Sequence, residues 1–243
     1  MSNELQNNTS FIDLHTYIAS CSSHNANDVA ITTYDSHLRS RFGGQLEDGG
    51  SIYLAGWHDI SDVLLVNKRR MFVVKNVEPS LFLPDSPTVL RLDNFRRSRI
   101  SNMHTAIHLL CALTEHQVIR GYAGTEVSKV EFAGDVQSFN SRFRDVYSRF
   151  RDCVASKLSV EVIYSTREEI FKFGKVAELN APYVSENQVI RMVSIQGVDL
   201  RACNGTHAKN TGELALIEFT QAESSGKNKF VVRLRNSVGT PVW

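Results

Sequence analysis

The first part of the chain alternates short apolar runs with turn residues. Between Asp28 and about Asp93 the runs are only a few residues long, and glycine pairs and prolines stand between them. They occupy residues 29–31, 51–54, 63–66, 71–74 and 89–92. Many short strands separated by turns predict a small β-barrel or sandwich. The polar segment before them contains one short apolar stretch, 11–18, which we interpret as a small helix.

From about Asn94 the apolar positions follow the period of a helix. Ile100, Met103, Ile107 and Leu110 recur at three- and four-residue steps. A second apolar stripe predicts an amphipathic helix that packs on the core: Val136, Phe139, Phe143, Val146, Phe150 and Val154. The remaining segments are predicted as strands 128–132, 158–164 and 189–195, a short helix 167–173, and a hairpin of 213–219 with 229–235.

These patterns predict an α+β protein in which a small β-barrel precedes a second domain. In that second domain, helices pack on a mainly antiparallel sheet. We place a polar N-terminal segment at 1–27, the barrel at 28–95 and the α+β domain at 96–243.

Composition limits the classes of function. The 243 residues are 42% hydrophobic and 22% charged, with a net charge of +1, which argues against a tight grip on a long nucleic acid. The four cysteines are widely spaced and are expected to be reduced thiols. Neither a signal peptide nor a membrane-spanning apolar run is visible, so we expect a cytoplasmic protein without a membrane partner.

Two pairs of metal-binding residue types stand out, each with a spacing of four. His104 and His108 lie on the predicted helix, where this spacing places both imidazoles on one face. Thr105 follows His104 where a metalloprotease has glutamate, which excludes that class. Cys203 and His207 flank an Asn-Gly-Thr loop, which favours a tight turn. Three imidazoles and one thiolate favour zinc over magnesium or calcium, so we expect one zinc ion.

Four sequence motifs resemble one known family. HTAIHLL at 104–110 and ACNGTHAKNTGE at 202–213 are similar to the editing domain of alanyl-tRNA synthetase and to the free-standing AlaX alanyl-tRNA editing proteins. The glycine-rich loop 41–50 and the helix approach LRLDNFRRSRISNMHTA at 90–106 agree with that family. The length resembles the medium-length AlaX type. The chain departs from the family at Arg41-Phe42, where Tyr-Pro is usual, and at Ser101, where methionine is usual.

The resemblance implies trans-editing: hydrolysis of the ester in seryl-tRNA for alanine, and sometimes in the glycyl form. The acceptor end of an aminoacyl-tRNA would then be the partner. Thr125 is our candidate for contacting the serine hydroxyl, and Gln45 for lining the acceptor-end pocket. Gly43 and Gly44 either allow close approach of the terminal adenosine or simply form a turn. Candidate phosphate contacts are Arg96, Arg97 and Arg99, together with Lys68-Arg69-Arg70 in the barrel.

Several alternatives stay open at this stage. Four protein ligands are typical of structural zinc, whereas catalytic zinc keeps an open position. The metal could therefore activate water, hold the substrate or shape the pocket. The same fold could act on a different aminoacyl-tRNA or on an amino-acid ester in a biosynthetic pathway. It could also be a zinc-stabilised tRNA-binding module without catalysis. The sequence does not define an oligomeric state.

Overall fold

The computed structural model describes residues 11–25, 27–41, 44–166, 168–169 and 189–237. These residues form two compact units. The first contains the described residues up to Arg97 except 44–45, and the second contains residues 44–45 together with those from Ser98 onwards. Each unit has its own hydrophobic core.

The first unit is a closed antiparallel barrel of six strands. Their order around the barrel is β1-β2-β5-β4-β3-β6, and β6 pairs with β1 to close it. The strands are β1 Phe11–Ser23, β2 Asp28–Thr33, β3 Gly50–Tyr53, β4 Trp57–Val66, β5 Arg69–Lys75 and β6 Pro87–Asp93. A short 3-10 helix covers Pro79–Leu81. The predicted barrel is confirmed.

The prediction of a small helix at 11–18 is wrong, because these residues belong to β1. Phe11 to Tyr17 pair with β6, and Ile18 to Ser23 pair with β2. Thr16 and Ile18 are buried while Tyr17 between them is exposed, which is the period of a strand. A barrel needs this strand to close its edge, and that pairing is not visible in a single segment of sequence.

In the described residues of the second unit, helices pack against two antiparallel sheets. The helices are α1 Asn94–Leu113, whose first turn lies in the first unit, α2 Val136–Ser141 and α3 Phe143–Ala155. One sheet has the order β12-β14-β8-β7, with β13 also paired to β14, and the other has the order β11-β10-β9. The strands are β7 Val118–Tyr122, β8 Val127–Ala133, β9 Val160–Ser165, β10 Ile190–Ile195, β11 Asp199–Ala202, β12 Ile217–Phe219, β13 Glu223–Gly226 and β14 Lys229–Asn236. The predicted α+β class is confirmed.

The core of this unit follows the periodicities seen in the sequence. Phe230 and Val232 of β14 lie opposite Phe132 and Val130 of β8, and all four side chains are buried. The predicted stripe on α2 and α3 faces this core, with Phe139, Val146, Phe150 and Val154 buried and Val136 and Phe143 packed beside them. Helix α1 adds a buried face. The packed interior therefore fixes the part of α1 that carries the predicted ligands His104 and His108.

The segment 213–219 differs from its prediction as a single strand. A 3-10 helix covers Thr211–Leu214, and only Ile217–Phe219 forms a strand. The side chain of Asn210 starts this helix by accepting a hydrogen bond from Gly212 N at 2.9 Å. β12 pairs with β14 as expected, and the segment between them contains a further strand, β13, which also pairs with β14. The predicted helix 167–173 lies mostly outside the described residues.

Among the described residues, no helix is both long and apolar enough to cross a membrane.

Candidate metal centre

The four predicted ligands come together in the second unit. His104 and His108 come from α1, and Cys203 and His207 come from the loop after β11. The candidate ligand atoms of all four residues lie within 4.8 Å of one another. Cys203 Sγ is 3.6 Å from His104 Nε2 and 3.4 Å from His207 Nε2. His108 is buried and the other three are partly exposed, so the cluster is reachable from solvent.

His207 is held by the hydroxyl of Thr105, which is fully buried. Thr105 Oγ1 donates to Ser101 O at 2.9 Å and accepts from Ala208 N at 3.0 Å. Because the hydroxyl has only one proton, His207 Nδ1, 3.1 Å away, must be the donor in their contact. The neutral ring then has an unprotonated Nε2, which is the atom that faces Cys203.

His104 is held by the side-chain amide of Gln45. Gln45 Oε1 accepts from Thr206 N at 2.9 Å and lies 2.9 Å from His104 Nδ1, while Gln45 Nε2 donates to Thr206 Oγ1 at 2.9 Å. A backbone N–H can only donate, so the atom beside it is the amide oxygen. His104 Nδ1 therefore carries the proton, and Nε2 is free to bind a metal.

His108 lies beside a buried carboxylate. Its Nδ1 is 3.2 Å from Asp199 Oδ2, although the two atoms are not aligned as a hydrogen bond. Asp199 is in turn paired with Arg201 through contacts of 2.7 to 3.0 Å. Each of the three imidazoles thus has an oxygen near Nδ1, which leaves Nε2 as its available ligand atom.

The Cys203 loop is fixed by backbone contacts. Cys203 N donates to Arg191 O at 3.1 Å, and the Arg191 guanidinium donates back to Cys203 O. Gly205 N donates to Cys203 Sγ at 3.3 Å, a contact that stabilises a thiolate. A side chain at Gly205 would overlap the His104 ring, and its Cβ would lie 2.7 Å from Gln45 Oε1. Only glycine allows this loop to approach so closely.

Burial and neighbouring charges favour the neutral forms of His104 and His108. Burial, followed by the charges of Arg191 and Arg201, lowers the pKa of His104 to about 4. Burial also lowers the pKa of His108 well below its usual value, with His104 and Arg201 adding to the effect. Burial raises the pKa of Cys203, against the opposing effects of the Gly205 N–H and the two arginines. A bound cation would favour the thiolate, so the four groups fit a zinc ion in donor type and in protonation.

Gln45 reaches the cluster because Gly44 and Gln45, which belong to the second unit, are held beside Ala123. Ala123 N donates to Gly44 O at 2.8 Å, and Gln45 forms a parallel bridge with Ala123. Gly44 has φ +83°, and a Cβ there would overlap the carbonyl of Gly121. Gly44 therefore does lie close to another backbone segment, which is the end of β7. A contact between Gly44 and adenosine stays a prediction. Gly43 lies outside the described residues.

The other predicted residues are found in varied settings. Thr125 is half-buried just before β8, and its carbonyl accepts from Arg99 Nε at 3.2 Å. Arg99 also lies 3.7 Å from Glu126. Arg96 contacts Glu47, with a closest ion-pair distance of 3.6 Å, and Arg97 pairs with the buried Asp48. The roles of Thr125 and these arginines in substrate and RNA binding stay predictions.

Sequence reasoning did not find Asp199, Arg201 or the role of Thr105. The DLRAC segment does contain a signal, since Asp199 lies four residues before Cys203, and it is the buried residue of β11. Thr105 drew attention only as the residue that excludes a metalloprotease. Its function in the fold depends on a partner 102 positions away.

Comparison with known proteins finds similarity to proteins that act on or charge tRNA with alanine or threonine. Residues 190–235 match the family described as the threonyl and alanyl tRNA synthetase second additional domain, and this range includes the Cys203–His207 loop. The chain is 33% identical over 143 residues to an alanine–tRNA ligase of Thermotoga sp. strain RQ2, covering 56% of this chain and 16% of the ligase.

More narrowly, the chain is similar to alanyl-tRNA editing proteins AlaX-M. It is 30% identical over 142 residues to AlaX-M of Methanosarcina barkeri, covering 56% of this chain and 58% of that protein. With AlaX-M of Methanosarcina acetivorans, the identity is 29% over 147 residues. The resemblance drawn from the motifs is confirmed. The match spans somewhat more than half the length of these curated relatives.

Proposed function

We propose that this chain is a trans-editing hydrolase that removes serine, and also glycine, from mischarged tRNA for alanine. The observation that carries the proposal is the convergence of His104, His108, Cys203 and His207, within 4.8 Å of one another, in a chain similar to alanyl-tRNA editing proteins. Its partner is the acceptor end of the tRNA, and the reaction breaks the ester between the amino acid and the terminal adenosine.

The cofactor we propose is a single zinc ion held by these four residues. Three imidazole nitrogens and one thiolate are donor atoms of the kind that zinc prefers. When bound, zinc would supply Lewis-acid stabilisation of charge at the ester or at a water molecule. His104 and His108 contribute neutral donor atoms at physiological pH, because burial lowers the pKa of each imidazole. They are therefore metal-binding groups in this proposal and not general acids.

Substrate selection in the proposal depends on Thr125. A synthetase pocket cannot strongly reject an isostere that adds a hydroxyl, so a second site must remove the wrong product. A site that hydrogen-bonds the serine hydroxyl would leave its own polar groups unpaired with alanine. Two features of Thr125 support this assignment. Its side chain carries a hydroxyl, and its carbonyl oxygen accepts a hydrogen bond from Arg99 Nε at 3.2 Å, which fixes the backbone just before β8.

For the RNA phosphates, the barrel offers a groove of about 280 Å³ with a basic lining. Lys68, Arg69 and Arg70 line it together with Tyr34 and small residues, and no carboxylate is among the lining residues. Asn67 and Lys68 both have positive φ, as in a tight two-residue hairpin turn, which presents the basic residues to solvent. Arg96 and Arg97 have carboxylate partners, so the hairpin is the better candidate for phosphate contact.

The experiment that tests the function is a deacylation assay. Purified, zinc-loaded protein is incubated with seryl-, glycyl- and alanyl-tRNA for alanine, and loss of the ester is followed. We expect rapid loss of the seryl ester, slower loss of the glycyl ester and retention of the alanyl ester. Hydrolysis of a different aminoacyl-tRNA or a free amino-acid ester instead would favour the biosynthetic alternative. Zinc-loaded protein that binds tRNA but hydrolyses none of these esters would favour the binding module.

A further inference from the structure

We propose that Gln45 is a positioning residue of the metal centre. It holds His104 in the tautomer that leaves Nε2 free, and it fixes the loop carrying Cys203 and His207 to helix α1. The inference rests on the proposed metal site but not on the proposed reaction. It also differs from the role that the sequence suggests for Gln45, which is contact with the acceptor end of the tRNA.

The orientation of the Gln45 amide is set by the backbone. Thr206 N lies 2.9 Å from one amide atom, and Thr206 Oγ1 lies 2.9 Å from the other. Since Thr206 N can only donate, it selects Oε1 and leaves Nε2 to donate to the hydroxyl. A flipped amide would place two donors against each other. The same backbone N–H thus determines that His104 meets an acceptor.

The consequence for His104 is a single neutral tautomer. Oε1 lies 2.9 Å from His104 Nδ1 and accepts its proton, so Nε2 keeps the lone pair that faces Cys203 Sγ at 3.6 Å. With an apolar group in place of the amide, the proton could reside on either nitrogen, and a protonated Nε2 cannot bind a metal. Mutation of a residue that hydrogen-bonds a metal ligand typically lowers metal affinity by about 10- to 100-fold.

Gln45 also connects segments that are far apart in sequence. It is 59 positions from His104 and 161 from Thr206. Its side chain is only 5% exposed, and Gly205 is packed against both Gln45 and His104. The Gly44–Gln45 loop is itself anchored to Ala123. The amide therefore connects the two ligand pairs before any metal binds, which reduces the ordering cost of binding.

The amide has little capacity left for a substrate. Both lone pairs of Oε1 are used, one by His104 Nδ1–H and one by Thr206 N–H. Only the second hydrogen of Nε2 remains. A contact between Gln45 and a substrate amine or hydroxyl donor would have to break a bond that supports the metal site.

Two variants at this position separate positioning from substrate contact. Gln45→Met keeps the length of the side chain but removes both hydrogen-bonding groups. Gln45→Glu keeps oxygens that accept from His104 and Thr206, and the Thr206 hydroxyl can rotate to donate. Gln137→Met, on the exposed side of α2, is the matched control. Zinc affinity is measured by competition with a chromogenic chelator at fixed pH, without tRNA.

We expect Gln45→Met to bind zinc about 10- to 100-fold more weakly than wild type. Gln45→Glu should stay within a few-fold of wild type, and Gln137→Met should be unchanged. In the zinc-loaded protein, ¹⁵N NMR of the His104 ring should show protonated Nδ1 in wild type and in Gln45→Glu. Wild-type zinc affinity in Gln45→Met, with only a raised KM for aminoacyl-tRNA, would overturn the proposal. So would a loss in Gln45→Glu equal to that in Gln45→Met.

These readouts do not depend on hydrolysis. If the wild-type protein binds zinc and cleaves no ester, the proposed function fails while the role of Gln45 remains supported by the affinities. If Gln45→Met changes only KM, the positioning role fails while the hydrolase stands.

Discussion

The hydroxyl of Thr105 and the imidazole of His207 lie 3.1 Å apart and join helix α1 to the loop that carries half of the candidate ligands. The same hydroxyl donates to Ser101 O and accepts from Ala208 N, so its hydrogen-bonding capacity is fully used. His104 is held instead by an amide oxygen, and His108 lies beside a carboxylate. The candidate ligands are thus held by three chemically different neighbouring groups: a hydroxyl, an amide oxygen and a carboxylate.

Replacing Thr105 tests this connection. Thr105→Val preserves shape but leaves Ala208 N–H and His207 Nδ1–H without their acceptor in a buried position. We expect the free energy of unfolding of the zinc-free protein to fall by about 1–3 kcal/mol, the cost of unsatisfied buried polar groups. Zinc affinity should fall as well, because His207 loses the hydrogen-bond acceptor that keeps its proton on Nδ1.

Urea unfolding and chelator competition measure these two effects separately. Thr114→Val is the control, since Thr114 is also buried, directly after the end of α1, and within the described residues its hydroxyl makes one long hydrogen bond, to Cys111 O at 3.4 Å. Equal destabilisation by both substitutions would contradict a special role for Thr105.

Gly205 is expected to tolerate no side chain. A Cβ at this position would overlap the His104 ring, so Gly205→Ala should push the ligand loop away from α1. We expect zinc affinity to fall at least about tenfold, in the range seen when groups that orient metal ligands are disturbed. Gly56→Ala is the matched control, because no atom lies within 4 Å of a Cβ there. Isothermal titration calorimetry with zinc measures the affinity of both variants. An unchanged zinc affinity in Gly205→Ala would argue against the close contact between Gly205 and the His104 ring.

Much of this site was predictable from local spacing. The pair His104 and His108 and the pair Cys203 and His207 are each four residues apart, and residue type alone indicates a metal. The residues that contact the candidate ligands, such as Gln45, were not predictable in the same way. Gln45 contacts His104 because its backbone pairs with Ala123, and both partners are distant from Gln45 in sequence. The fold shows the same limit, since the helical interpretation of 11–18 failed where pairing with β6 decided the structure.

Removal of the one sulfur ligand tests the four-residue assignment directly. Cys203→Ala should abolish stoichiometric zinc binding or lower affinity by several orders of magnitude, because three histidines remain on a partly exposed site. Cys153→Ala, a free and partly buried cysteine on α3, should keep the wild-type zinc content. Metal content is measured by inductively coupled plasma mass spectrometry after dialysis. Full zinc content in Cys203→Ala would remove Cys203 from the ligand set.

The basic hairpin of the barrel should contribute to tRNA affinity. Changing Lys68, Arg69 and Arg70 together to alanine removes three charges from the groove. We expect binding to weaken about tenfold or more at moderate salt. The plot of log affinity against log salt should become less steep by up to about 2.7, because each of the three lost phosphate contacts removes about 0.9 from the slope.

The control for the hairpin carries the same change in charge on another surface. Arg144, Arg149 and Arg151 on α3 are changed to alanine in one variant. Filter binding at several salt concentrations measures both variants, and hydrolysis of a short seryl-adenosine ester shows whether the catalytic site is intact. If the two triple variants lose affinity and salt dependence equally, the hairpin has no specific role.

The choice between serine and glycine provides the test of Thr125. Thr125→Val keeps the volume of the side chain and removes its hydroxyl. If this hydroxyl contacts the serine side chain, kcat/KM for seryl-tRNA should fall by about 10- to 100-fold, equivalent to the loss of one or two hydrogen bonds in a closed site. Hydrolysis of glycyl-tRNA provides the internal control, because glycine has no hydroxyl and its kcat/KM should stay within about twofold. Single-turnover assays with both substrates measure the ratio. An equal fall for both would mean that Thr125 supports the structure of the loop before β8 and does not read the amino acid.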